Sequence, residues 1–117
     1  MKTNELMIGD WVQVPSELNR KKQIKSTFDL DSAVLYQPIP LTHEILENNG
    51  FSRHEDEYQL LDDYWELYLE EINDGMWQVV EYNDEFGNIP IQVVNISHVH
   101  EFQHFLRLCA IEFNFKL

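Results

Sequence analysis

Cysteine occurs once, as Cys109, so no disulfide can close within the chain and no cysteine pair exists for a zinc ribbon. That usage suits a reducing compartment and predicts a cytoplasmic protein. Apolar runs are also short. None approaches the roughly 18 residues that a membrane-spanning helix requires, and no apolar stretch follows Lys2, so neither export nor insertion is expected. With only four glycines there is no glycine-rich phosphate loop, and no Ser-His-Asp spacing suggests a nucleophile. Positive charge is scarce as well: 8 Lys and Arg stand against 21 Asp and Glu, a formal net charge of -13. Arg20, Lys21, Lys22 and Lys25 form one patch, and between Ser26 and Leu106 the only Lys or Arg is Arg53. Binding along a phosphate backbone is thereby disfavoured over most of the surface. The acidity serves solubility, and it also suits a basic protein partner or an imitation of DNA charge.

The 117 residues fit a single domain, 1–117, with enough core to fold unaided. Residues 7–14 read as a strand ending at Pro15, 15–23 as a polar loop, and 33–36 as a second strand stopped by Pro38 and Pro40, with 24–30 as a further strand beside it. A short helix is expected at 42–49. Thr42 supplies the N-cap oxygen, Glu44 sits in the first turn, Gly50 takes the left-handed position after the helix, and Phe51 folds back on Leu46. From 57 to 96, apolar runs at 64–72, 76–82 and 89–96 alternate with turn signals at 73–75 and 83–88, an antiparallel meander. In its first run Trp65, Leu67 and Leu69 share one face, and Glu66, Tyr68 and Glu70 the other. The three tryptophans, Trp11, Trp65 and Trp77, are read as core or sheet-face residues. A last helix over 97–113, capped by Ser97, carries Val99, Phe102, Phe105, Leu106, Cys109, Ala110 and Phe113 on one stripe. The fold class is therefore α+β: an antiparallel sheet of about five strands packed by the C-terminal helix, with a short middle helix.

That last helix holds the one stretch that names a reaction. His100-Glu101-Phe102-Gln103-His104 has the H-E-x-x-H spacing, in which two histidines four apart on a helix reach one zinc and the glutamate acts as general base. On a helical wheel both imidazoles point away from the apolar stripe, towards solvent. Only Glu112 among the following residues is a carboxylate, Arg107 and Ala110 replace the Gly and third His of the extended motif, and a third ligand would have to be His43, His54 or His98. Catalytic zinc is thus disfavoured, and no cofactor is assigned. Adventitious binding of zinc or nickel by His98, His100 and His104 is the milder metal reading. Cys109 lies on the apolar stripe and reads as a small core residue.

Three stretches carry a resemblance: Asn4-Glu5-Leu6-Met7-Ile8-Gly9-Asp10-Trp11-Val12, Pro38-Ile39-Pro40-Leu41-Thr42-His43-Glu44-Ile45-Leu46 with Gly50-Phe51, and Val99-His100-Glu101-Phe102-Gln103. They resemble a family of short uncharacterised bacterial proteins, many from gut anaerobes and mobile elements. That family typically reads N-E-L-R-I-G-N-W-V, then P-I-P-L-T-E-E-I-L-L-K-C-G-F, then V-H-Q-L-Q-N-L-Y-F-A-L-T-G. The resemblance implies a common fold and supplies no activity. Glu101 and His104 stand where the family tends to carry Gln and Asn, so it implies that H-E-x-x-H is private to this chain. Ile111 stands where the family tends to carry Gly.

The expected function is non-enzymatic: an acidic accessory or protein-interaction domain. Its partner surface is expected at Glu55, Asp56, Glu57, Asp62, Asp63, Glu66, Glu70 and Glu71, facing a basic protein rather than nucleic acid or membrane. The alternatives are a DNA mimic directed at a basic DNA-binding protein and a zinc hydrolase at His100 and His104.

Overall fold

The computed structural model describes residues 1–62, 64–83 and 90–117. Two antiparallel sheets are present, and the C-terminal helix lies between them. The smaller sheet has the order β2-β1-β3, from Trp11–Val14 (β1), Arg20–Gln23 (β2) and Gln37–Pro38 (β3). The larger has the order β4-β5-β6-β7-β8, from Ser52–His54 (β4), Glu57–Leu61 (β5), Trp65–Asn73 (β6), Met76–Asn83 (β7) and Pro90–Ile96 (β8). The helices are Thr27–Asp31 (α1), His43–Asn48 (α2) and Val99–Leu108 (α3). No helix among the described residues is long and apolar enough to cross a membrane.

The expected α+β class with a five-stranded sheet is present, although its strands are not all the expected ones. The 7–14 strand begins only at Trp11, because residues 7–10 form a turn in which the Asp10 N–H donates to the Met7 carbonyl at 3.1 Å. The expected loop over 15–23 holds a strand in its second half, a lysine-rich edge whose composition lacks β-branched residues. Residues 27–31, read as strand, are helix α1, because the Ser26 hydroxyl accepts from the Asp29 N–H and caps it. Residues 33–35, also read as strand, form a 3₁₀ turn that buries Ala33 and Tyr36, three apart, and leaves Val34 and Leu35 exposed. Strand pairing resumes later, with Pro38 opposite Val12, so this proline joins the sheet at its edge and does not end it. The hairpin of β4 and β5, not foreseen as strands, completes the large sheet.

The middle helix follows expectation. Thr42 Oγ1 accepts from the Ile45 N–H, Gly50 adopts φ 89°, and the Phe51 N–H returns to the Leu46 carbonyl at 3.0 Å, which brings both side chains into the core. The meander is present too: β6 and β7 turn through Asn73-Asp74-Gly75, and Pro90 opens the edge strand β8. The turn expected at 83–88 lies, after Asn83, outside the described residues. Tyr58, Leu67, Leu69, Trp77 and Val79 are fully buried on the inner face, against Phe102 and Val99 of α3. Trp11 and Trp65 pack against the same core while partly exposed.

Helix α3 is shorter at both ends than its apolar stripe suggested. The N-cap position belongs to His98 rather than Ser97. At the far end Ala110 enters the left-handed region with φ 57°, and the Ile111 N–H closes on the Leu106 carbonyl at 2.9 Å. This is a glycine-type helix stop made by alanine. The tail then folds back, burying Ile111 and Phe115 and stacking Phe113 on Phe51 edge to face at 5.7 Å.

Candidate functional site

The polar side of α3 is covered, contrary to the outward direction expected for His100 and His104. His100 is only 8% exposed, and the His104 side chain is held against a fully buried Asp10. The wheel correctly found the apolar side but carried no information that a second sheet closes over the other. Gln103 and Asp10 make that closure. The Trp11 N–H donates to Gln103 Oε1 at 2.9 Å and Gln103 Nε2 donates to the Gly9 carbonyl at 2.9 Å, so one side chain pairs with the backbone as a neighbouring strand would. Asp10 accepts from the Met7 N–H at 2.8 Å, from His104 Nε2 at 2.6 Å and from Arg107 at 2.9 Å. These bonds discharge a carboxylate that would otherwise be too costly to bury. Gly9 is required beside them: it adopts φ 99°, and a Cβ there would stand 2.9 Å from the Arg107 guanidinium.

Each member of H-E-x-x-H thus has a structural contact. Glu101 reaches back to the helix start, accepting from the Ser97 N–H at 3.0 Å and the His98 N–H at 2.9 Å, with His98 Nδ1 at 2.9 Å. This is a capping box, in which the N3 carboxylate satisfies donors that the first turn leaves free. Burial disfavours its charge, but the bonds from Ser97 and the His98 side chain outweigh that and hold its carboxyl below the usual range. His100 stacks on His98 with ring centres 5.8 Å apart and meets His104 edge-on at 5.6 Å. Burial pushes its pKa down, and its Nδ1 is enclosed without a hydrogen-bond partner. His43 and His54 do not join the group: His54 lies in β4, and His43 contacts Tyr58 and Glu71 on the opposite side of the core. Among the described residues no three His, Cys, Asp or Glu side chains are grouped so as to hold a metal ion. Cys109 packs on the main core, and burial together with the Glu81 carboxylate pushes its thiol up to about 12, far from a reactive thiolate.

The acidic residues divide by face. Glu57, Glu66 and Glu70 come together on the open side of the large sheet with Tyr68, Tyr82 and Gln78, around a hollow of about 420 Å³. Antiparallel pairing sets this cluster, since Glu57 stands opposite Glu70 and Glu66 opposite Tyr82. The Tyr68 hydroxyl donates to Glu66 at 2.7 Å, and its ring meets Tyr82 at 5.3 Å and 85°. The bond to Glu66, then burial, pushes the Tyr68 phenol up to about 12, so it stays a neutral donor. Glu55 and Asp56 form the tip between β4 and β5, and Asp62 lies between β5 and β6. Glu71 is on the other side, where its carboxylate meets His43 Nε2 at 3.2 Å. Asp63 lies outside the described residues.

No protein-family model matches this chain, and no curated protein or solved structure does either.

Two groups of side chains escaped the sequence reading. Tyr82 and Gln78 join Tyr68 on the face of the glutamates, a grouping that period-two alternation gives along β6 but not across to β7. The chain Glu47, Tyr58, His43 and Glu71 links α2 to the sheet: the Tyr58 hydroxyl donates to Glu47 at 2.9 Å and lies 3.0 Å from His43 Nδ1. No local spacing announces it, because its members come from three elements.

Proposed function

We propose that this is a non-enzymatic interaction domain that binds a basic partner through the open face of its large sheet. The observation that carries the reading is the convergence of Glu57, Glu66 and Glu70 with two perpendicular tyrosine rings around one hollow. Carboxylates attract a Lys or Arg side chain, and tyrosine faces add cation–π attraction to the same charge. The net charge of -13 favours encounter with such a partner at a distance. Glu71 is turned to the other face, beside α2, and the open-face glutamates gather around one hollow, an arrangement that supports local recognition of basic side chains over a phosphate-like track of charge. The engagement of Glu101 and His104 in capping and packing supports a structural role for the H-E-x-x-H helix.

The test is calorimetric titration with a short peptide rich in Lys and Arg, against wild type and Glu66→Gln/Glu70→Gln. Saturable binding that weakens with added salt and falls about tenfold or more in the variant is expected. Binding by the variant equal to wild type, or no binding at low salt, would overturn the proposal.

A further inference from the structure

The edge of the small sheet is basic. Four of the eight Lys and Arg residues, Arg20, Lys21, Lys22 and Lys25, fall on or just after β2, in a chain otherwise dominated by acids. With Trp11 and Gln23 they surround a hollow of about 340 Å³, in which Asp29 is the one acidic group. Asp29 is committed to Lys22 at 3.1 Å and Arg20 to Glu17 at 3.0 Å, whereas no described carboxylate lies within ion-pair distance of Lys21 or Lys25.

β2 is also an edge, with no strand on its outer side among the described residues. The register decides what can use it. Trp11 stands opposite Gln23 and Gln13 opposite Lys21, while Val12 stands opposite Lys22 and Val14 opposite Arg20. Side chains alternate along a strand, so Lys21 projects on the Trp11 side and Arg20 and Lys22 on the other. A compact anion in the hollow leaves the backbone edge unpaired, and a flat anionic membrane meets one face alone. An extended chain lying along the edge meets both faces and the edge itself, because its own side chains alternate in the same way.

We propose that β2 accepts an acidic, extended segment of a partner protein as a fourth strand of the small sheet. The backbone of the segment bonds to the free edge, and its carboxylates meet Lys21 on the strand and Lys25 just past it, the two cations of this hairpin with no described carboxylate in ion-pair distance. Lysine on an edge repels indiscriminate strand pairing, and the same charge selects a strand that carries acid. Long polyanions are disfavoured, since beyond this hairpin they meet the acidic remainder of the surface.

Fluorescence anisotropy of a labelled peptide of about eight residues, alternating Glu with Val or Thr, tests this directly. Three competitors accompany it: the same peptide N-methylated at alternate residues, a single-stranded oligonucleotide and anionic vesicles. Saturable binding is expected, lowered about tenfold or more by Lys21→Glu/Lys25→Glu and by N-methylation, with neither oligonucleotide nor vesicles displacing the peptide at equal charge. Both substituted lysines are exposed, and a melting curve checks that the variant remains folded. Equal affinity for the N-methylated peptide, displacement by oligonucleotide or vesicles, or indifference to the charge reversal would overturn the proposal.

Discussion

Gln103 does with one side chain what a strand does with its backbone, and its loss should cost accordingly. Gln103→Ala leaves the Trp11 N–H without its side-chain acceptor and the Gly9 carbonyl with Gln23 Nε2 alone, at 3.0 Å. A buried group left unsatisfied costs about 1–3 kcal/mol, so the urea midpoint should fall by that cost divided by the slope, with the slope itself unchanged. An unchanged midpoint would mean that the two sheets do not depend on this bond. Ala110 provides the opposite case. Its left-handed backbone, φ 57°, is strained for any residue with a Cβ, and Ala110→Gly should stabilise by up to about 1 kcal/mol, read as a rise in melting temperature. A fall would show that the added freedom of the unfolded chain outweighs the relieved strain.

Helix α2 was legible from local chemistry because every signal that defines it acts within a few residues: Thr42 on Ile45, Gly50 at the stop, Phe51 on Leu46. Gly50→Ala should therefore destabilise by about 1 kcal/mol despite open space around it, since the cost is conformational and not steric. Amide exchange of the 43–48 segment measures it, and unaltered protection would contradict the assignment of the stop to Gly50. Helix α3 was half legible. Its apolar stripe located the large sheet, while its stop at Ala110 lacked the glycine signal and its covered polar side depended on partners some 90 positions away, Gly9, Asp10 and Trp11. Segments 20–23, 27–31 and 33–35 have polar or mixed composition that suits several conformations: pairing with β1 makes 20–23 a strand, the Ser26 cap makes 27–31 a helix, and burial of Ala33 and Tyr36 accompanies the 3₁₀ turn at 33–35. Of the acidic site, alternation gave the shared side of Glu66 and Glu70, but cross-strand register was needed to add Glu57 and Tyr82 and to send Glu71 elsewhere.

At the scale of the whole molecule, α3 joins two cores, and His100 is buried at that junction. The folded-state pKa of His100 is depressed chiefly by burial, so the folded protein binds fewer protons there than the unfolded chain. Its stabilising contribution is complete above the unfolded value near 6.5 and is lost as pH falls through the depressed folded value. Glu101, depressed from 4.5 by its capping bonds against the opposing effect of burial, adds a second loss at lower pH with the same sign. The urea midpoint should consequently fall on acidification from about pH 7.5 to 5.5, and His100→Gln should flatten that step. Parallel curves for the two proteins would place the acid sensitivity elsewhere. The division of labour between this junction and the open acidic face is tested most directly by one titration of the Lys- and Arg-rich peptide into wild type, Glu66→Gln/Glu70→Gln and Glu101→Gln. Binding should be lost in the open-face variant and retained in Glu101→Gln; loss in Glu101→Gln with full binding by the open-face variant would contradict it.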